Sequence, residues 1–167
     1  MDNLSRQLGF LRNIRVLIVL ALIAAFLATT TYTVMSESSV HGLTAKIFYV
    51  DLYCAVNQAT SAKTVTFYIV ASVWSSASLR TSMTNVVFSL SADGTGLGTS
   101  PAQGKSWDPG QGASYTLTFS DSSLSPLALP KASVLILAVS AQVTAGIVSV
   151  QVTASDTSSQ SFGNTTC

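Results

Sequence analysis

Positions 16–35 form a run of twenty residues without a charge, and no other feature restricts the fold of this chain so strongly. Its first part, VLIVLALIAAFLA (16–28), is apolar throughout, and TTTYTVM (29–35) carries the run on. As a helix rising 1.5 Å per residue, twenty residues extend about 30 Å, the thickness of a bilayer's hydrocarbon core. Threonines 29, 30, 31 and 33 are polar, but a threonine hydroxyl in a helix can bond back to a carbonyl one turn earlier. Arg12 and Arg15 flank the run in front, and Glu37 follows it. Positive charge is retained on the cytoplasmic side of a span, so the flanking arginines predict a cytoplasmic N-terminus and an outer C-terminal portion. The lipid bilayer, contacted through residues 16–35, is the first partner implied.

Two other fates fit the same segment. A basic start and a 13-residue apolar core also describe a cleaved signal peptide, with Val34 and Ser36 as the small-residue cleavage pattern. That site lies about eight residues beyond the apolar core. Gly9-Phe10, in turn, resembles the processing point of type IV prepilins, which implies a helix packed in a filament core. Ile14 stands where those helices usually carry an acid.

The remainder, residues 36–167, is short of charge. Only 9% of the whole chain is charged, against about 25% in an ordinary soluble domain. Serine and threonine fill the deficit: they make up 40 of the 132 residues from Ser36 onward. Their hydroxyls compete for backbone hydrogen bonds, so they suit strands and turns better than helix interiors. Residues 1–35 hold three arginines against one aspartate, and residues 36–167 hold five Lys or Arg against six Asp or Glu. Such a near-neutral domain lacks the clustered cations that nucleic acid requires, so nucleic acid is not expected as a partner.

Period-two alternation dominates the outer part. In KTVTFYIVASVW (63–74), Val65, Phe67, Ile69, Ala71 and Val73 share one face. In TAKIFYVDLYC (44–54), Phe48, Val50, Leu52 and Cys54 are expected to point inward. NVVFSLSADGTGLGTS (85–100) reads as a hairpin, with Val86, Phe88 and Leu90 on one face and Asp93-Gly94 as the turn. In GKSWDPGQGASYTLTF (104–119), Asp108 and Pro109 suit the first two positions of a β-turn. Tyr115, Leu117 and Phe119 then alternate inward, and Trp107 is expected to pack on the sheet edge. Pro126 and Pro130 break any helix ahead of residues 133–143, which fit a buried strand or a short apolar helix equally. GIVSVQVTAS (146–155) closes as a strand with Val148, Val150 and Val152 together.

These elements predict a mainly β fold: an immunoglobulin-like antiparallel β-sandwich of about seven strands behind one transmembrane helix. The expected segments are a cytoplasmic basic N-terminus (1–15), the span (16–35), a linker (36–43), the sandwich (44–155) and a loose polar tail (156–167).

The long strand TVTFYIVASVW, then TNVVFSLSADGTGLGTS, then WDPGQGASYTLTF, resembles the late-embryogenesis-abundant group 2 water-stress β-sandwich, in the membrane-anchored form of archaea and bacteria. The resemblance covers roughly residues 64–155, with SSASLRTSMT where that family has an Asn-Pro-rich break. It implies no catalysis, and a protective or interaction role.

No catalytic constellation is legible. His41 is the single histidine and sits in the expected linker, so a Ser-His-Asp or Cys-His arrangement would have to use it. Asp51, Asp93, Asp108, Asp121 and Asp156 are far apart in sequence, and no spacing suits a metal. GTGLG (94–98) has no following lysine or helix and is not a phosphate loop. Hence no catalytic residue, cofactor or metal is assigned. Cys54 and Cys167 both lie on the outer side, where a disulfide is favoured. It would close a loop of about 113 residues, worth about 4–5 kcal/mol by chain entropy. The alternatives are two free thiols or an intermolecular bridge through Cys167. Asn164-Thr165-Thr166 is a glycosylation sequon in the polar tail. A non-catalytic structural or binding role at the cell envelope follows, with a pilin-like filament subunit as the alternative. A low-charge surface and open strand edges also favour self-association or an envelope-protein partner.

Overall fold

The computed structural model describes residues 2–56, 58–59, 63–121 and 132–161. One helix, α1 (Asp2–His41), precedes eight strands among these residues. They are β1 (Leu43–Val56), β2 (Lys63–Ser75), β3 (Thr81–Ala92), β4 (Thr95–Ala102), β5 (Ser106–Trp107), β6 (Gly112–Asp121), β7 (Ala132–Ala145) and β8 (Val148–Ser161). Two antiparallel sheets result, one in the order β1-β2-β6 and one in the order β4-β3-β7-β8, with β5 also on β3. The β-sandwich behind an N-terminal helix is therefore present. The strand count rises from about seven to eight because two-residue β5 pairs separately with Thr81 and Ser82 of β3.

The central strands show why the pattern folds this way. All five inward residues of β2, from Val65 to Val73, are fully buried. The four larger ones, Val65, Phe67, Ile69 and Val73, each contribute about 1.5–3 kcal/mol on leaving water. Residues 133–143 belong to a strand, β7, with Leu135, Leu137, Val139, Ala141 and Val143 at alternate buried positions. Its other face carries Val134, Ile136 and Ala138, so apolar residues on both faces hid the period. Val86, Phe88 and Leu90 of β3, and Tyr115, Leu117 and Phe119 of β6, complete the core as expected.

Two of the register shifts, one in β1 and one in β3, reset the alternation that bears on the core. In β1, Leu43, Ala45 and Ile47 point inward, and the register with β2 slips between Ile47 and Tyr49. Phe48, expected inside, is 64% exposed, whereas Val50, Leu52 and Cys54 beyond the slip pack against the core as expected. One extra residue flips every later side chain to the other face. In β3 the register with β7 slips between Thr84 and Val87, where Asn85 has a φ of 51°. Met83 and Val86 thereby both face inward.

The first bulge leaves the Ile47 N–H for another acceptor. Asp156 of β8, in the opposite sheet, accepts it through Oδ2 at 2.8 Å. Asp156 was expected to begin a loose tail. Instead β8 continues to Ser161, paired residue by residue with the start of β7. Serine and threonine fit an edge strand as well as a loop. Residues 162–167 lie outside the described residues.

The turns define two ends. Asp93-Gly94, with φ values of 48° and 82°, turns β3 into β4 at the end far from the helix. The Asp108–Gln111 turn, closed by the Gln111 N–H to the Asp108 carbonyl at 3.0 Å, lies at the near end. So do the start of β1, the end of β2 and the β7–β8 turn. Trp107 is buried beside β3, as expected.

Asp156→Ala leaves the Ile47 N–H without an acceptor at a sheet corner and is expected to cost about 1–3 kcal/mol. Asp156→Asn keeps an acceptor and is expected to cost less. Urea unfolding of the full chain in micelles, followed by β-sheet circular dichroism, measures the difference.

Candidate functional site

The helix does not end where its apolar run ends. Residues 36–43 were expected to form a linker, but α1 continues to His41 and β1 begins at Leu43. Local bonding explains the continuity. Thr29 and Thr30 donate to the Phe26 carbonyl, Thr31 to Leu27, Thr33 to Thr29, Ser36 to Tyr32, and Ser39 to Met35, all within 2.7–3.0 Å. Each hydroxyl is satisfied by its own helix, so a serine- and threonine-rich stretch remains helical.

The last turns enter the sandwich. Ser36, Ser39 and Val40 are buried, while His41 is exposed. A helix leaves its last carbonyls without partners. Here Ser75 of β2 donates to the Ser39 carbonyl at 2.8 Å, within the protein. Two glycines permit the close approach. A Cβ on Gly42 would lie 2.7 Å from Ser76 Oγ, and one on Gly146 would lie 2.4 Å from Ser36 Oγ and 2.8 Å from Tyr32 Oη. Gly146 also has a φ of 59°, as the first central residue of a two-residue turn whose second is Ile147. Glycine at that place is what such a turn requires. Ile147 then stands beside Ala28, Thr29, Tyr32 and Thr33 across a cleft of about 470 Å³.

A second group lies on the outer face of the three-stranded sheet. Beyond the β1 bulge, Tyr49, Asp51 and Tyr53 point outward, with Tyr68 of β2 opposite Asp51. Tyr49 Oη donates to Asp51 Oδ2 at 3.0 Å, and the Leu52 N–H to Oδ1 at 2.8 Å. Hydrogen bonds from Tyr53, then Tyr49, then Leu52 hold the Asp51 carboxyl below its ordinary range. The same bonds push both phenols up. The cluster is a small exposed aromatic patch around a carboxylate whose oxygens are already engaged.

The residues singled out in the sequence do not converge. Arg12 and Arg15 lie within α1 ahead of the apolar run. Cys54 sits on β1 opposite Val65, partly buried against the core. Cys167 and Asn164 lie outside the described residues, and with them the Cys54–Cys167 bridge and the glycosylation site. Asp93 accepts from the Val134 N–H at 2.9 Å, and Asp108 lies 3.9 Å from Arg80 with both side chains exposed. An exposed ion pair of that kind contributes little. Among the described residues, no group of three or more His, Cys, Asp or Glu could hold a metal ion. The sequence reading missed Ile147. Its one signal is an isoleucine at a turn position that usually takes Asn, Gly or Ser.

No family model matches the sequence, and no curated protein matches it. Among solved structures the chain is similar to a crystal structure of a protein from Archaeoglobus fulgidus. The identity is 8% and the TM-score 0.41, over 71% of this chain and 99% of that one. A likeness of that size carries no argument about activity or partners.

Gly146→Ala brings both a clash with α1 and a strained φ. It is expected to destabilise the full chain by more than about 1 kcal/mol, read as a lowered urea midpoint. Tyr115 supplies a pH test. Its hydroxyl is buried without a hydrogen-bond partner, and burial pushes its pKa from 10 up to about 12. On raising the pH past 10 the unfolded chain releases this proton first, so the folded state loses relative stability between pH 10 and about 12. Tyr115→Phe is expected to flatten that loss, and at neutral pH to be neutral or stabilising because it removes an unpaired buried hydroxyl. Urea midpoints at pH 8, 10 and 11 check both.

Proposed function

We propose that this chain is a single-pass membrane protein with its N-terminus in the cytoplasm, carrying an extracytoplasmic β-sandwich with a non-catalytic structural or binding role at the cell envelope. The observation that carries this reading is the helix. From Val16 to His41 it is long and apolar enough to cross a membrane, and its apolar window is wholly uncovered by the rest of the chain. Leaving so many large apolar side chains in water would cost about 1.5–3 kcal/mol apiece, so they require hydrocarbon around them. Arg12 and Arg15 ahead of the run favour the cytoplasm for the N-terminus. Packing of Tyr32, Ser36 and Val40 against the sandwich argues against cleavage near residue 36, because that cut would remove part of the junction.

For the sandwich, a low-charge, hydroxyl-rich surface and the outward Tyr49, Tyr53 and Tyr68 support contact with other envelope components or with copies of itself. Protective or interaction roles of the kind the water-stress resemblance implies belong to the same reading. The second reading, a pilin-like filament subunit, is favoured by the same uncovered helix, since neighbouring helices in a filament core also supply hydrocarbon.

The intact mass of the protein from its native envelope, taken without reduction, tests these readings. A mass for residues 1–167 less two hydrogens is expected for the anchored form with Cys54 bridged to Cys167. A chain beginning at Phe10 would replace the anchor with the filament, and one beginning near Glu37 would replace it with a secreted domain.

A further inference from the structure

We propose that the β7–β8 turn is a second membrane contact, with Ile147 seated in the outer leaflet at the boundary between acyl chains and headgroups, beside Tyr32. The proposal rests on the anchored reading of residues 16–35.

Ile147 is 70% exposed, the highest value among the exposed large apolar residues that are described, and it occupies the tip of a tight turn. Its position relative to the helix gives that exposure a meaning. Gly146 abuts Tyr32 and Ser36 directly, and Ile147 shares an apolar cleft with Ala28, Thr29, Tyr32 and Thr33. Those helical residues belong to the charge-free run that ends at Met35. With a rise of 1.5 Å per residue, Thr33 and Thr29 lie about 3 Å and 9 Å inside that end. Side chains of interfacial segments reach about 5–10 Å into the headgroup and acyl boundary. The turn tip therefore lies at the depth where an isoleucine would meet acyl chains.

The surroundings agree. Tyr32 is partly exposed next to the tip, and tyrosine is enriched at this level of membrane proteins. The residues flanking the turn, Thr144, Ala145, Val148 and Ser149, carry no charge. Their hydroxyls are paired with each other, Thr144 Oγ1 to Ser149 Oγ at 2.8 Å, and Gln142 Nε2 donates to Ser149 Oγ at 3.2 Å. Approach to lipid thus strips water from few unpaired groups. The occupant follows from continuity: the surface beside the tip is the span itself, and whatever solvates residues 28–33 extends over Ile147. Two points of contact, the helix and the turn, then fix the tilt of the sandwich on the membrane.

The chain carries its own standards for a test. Ile18 and Ile23 lie in the span, while Ile136 is exposed on β7, roughly 30 Å along the strand from the turn. The full chain would be placed in phosphatidylcholine nanodiscs with its isoleucine methyl groups ¹³C-labelled, and Ile147→Ala would assign the Ile147 signal. Line broadening would be compared for a doxyl-labelled phosphatidylcholine and a water-soluble gadolinium chelate. Ile147 is expected to broaden with the lipid label and resist the chelate, like Ile18 and Ile23 and unlike Ile136. Lipid broadening of Ile18 and Ile23 with chelate broadening of Ile147 would overturn the proposal and leave the anchor standing. Protection of Ile147 from both agents would overturn the lipid assignment in favour of a protein neighbour, such as a second copy. Failure of Ile18 and Ile23 to sense the lipid would sink the anchored reading, and this proposal with it.

Discussion

Backbone and hydroxyl satisfaction along one helix is the constraint on which the rest of the structure depends. In hydrocarbon no water is available to a carbonyl or a hydroxyl, so each must find its partner within the segment. Residues 16–28 meet this by having no side-chain polar atoms at all. Residues 29–39 meet it differently, since their serines and threonines bond to carbonyls three or four residues back. A helix satisfied in this way has no reason to stop at the edge of its apolar run. It continues until another element takes over its terminal carbonyls, which Ser75 does at Ser39. The same hydroxyls therefore let one helix run from an uncovered apolar stretch into a protein interior.

The sandwich shows a comparable economy in charge. Across its outer faces, hydroxyl and amide pairs stand where many domains carry ion pairs: Thr66 with Ser120, Thr144 with Ser149, and Gln151 with Ser140. Cross-strand pairs of this type contribute a few tenths of a kcal/mol to about 1 kcal/mol each and do not weaken in salt as ion pairs do. One carboxylate has a different use. Asp156 reaches between sheets to the N–H freed by the β1 bulge, and so closes the corner where β8 faces β1. That bulge in turn places Tyr49, Asp51 and Tyr53 outward as a group. Without the inserted residue, the parity of β1 would carry the tyrosines inward and Val50, Leu52 and Cys54 out.

Much of this architecture was readable from alternation, because a half-buried strand writes its two faces directly into the sequence. β2, β3, β6 and β8 were legible on that basis, as were the Asp93-Gly94 and Asp108–Gln111 turns. The failures have common causes. Phe48 faces outward, against the expectation, because a bulge changes parity without a residue type that announces it. The expected linker (36–43) and the part of the expected tail (156–167) that lies among the described residues are both ordered, because serine and threonine are compatible with helix and strand as well as with loops. Their hydroxyls bond within the helix in one case, and their backbones pair with β7 in the other. For β7 the sequence does not separate strand from helix, because both its faces are apolar. Nothing in the alternation marks Ile147, because a turn has no periodicity and its neighbour Tyr32 lies more than a hundred residues earlier in the chain.

The cleft between Ile147 and residues 28–33 bears on the anchored and the filament readings alike. Its walls expose mostly apolar surface, and the hydroxyls of Thr29, Thr33, Thr144 and Ser149 beside it are hydrogen-bonded within the chain, so either reading covers it with hydrocarbon. A filament core would do so with side chains of neighbouring helices, which fit only at a fixed register and would need a complementary shape at every repeat. A bilayer would do so with mobile acyl chains that conform to any shape. An isolated isoleucine on a two-residue turn offers a neighbouring protein little surface to grip, but it suits a fluid partner well. On that ground the shape of the junction favours lipid over a filament core as the cover proposed for this cleft.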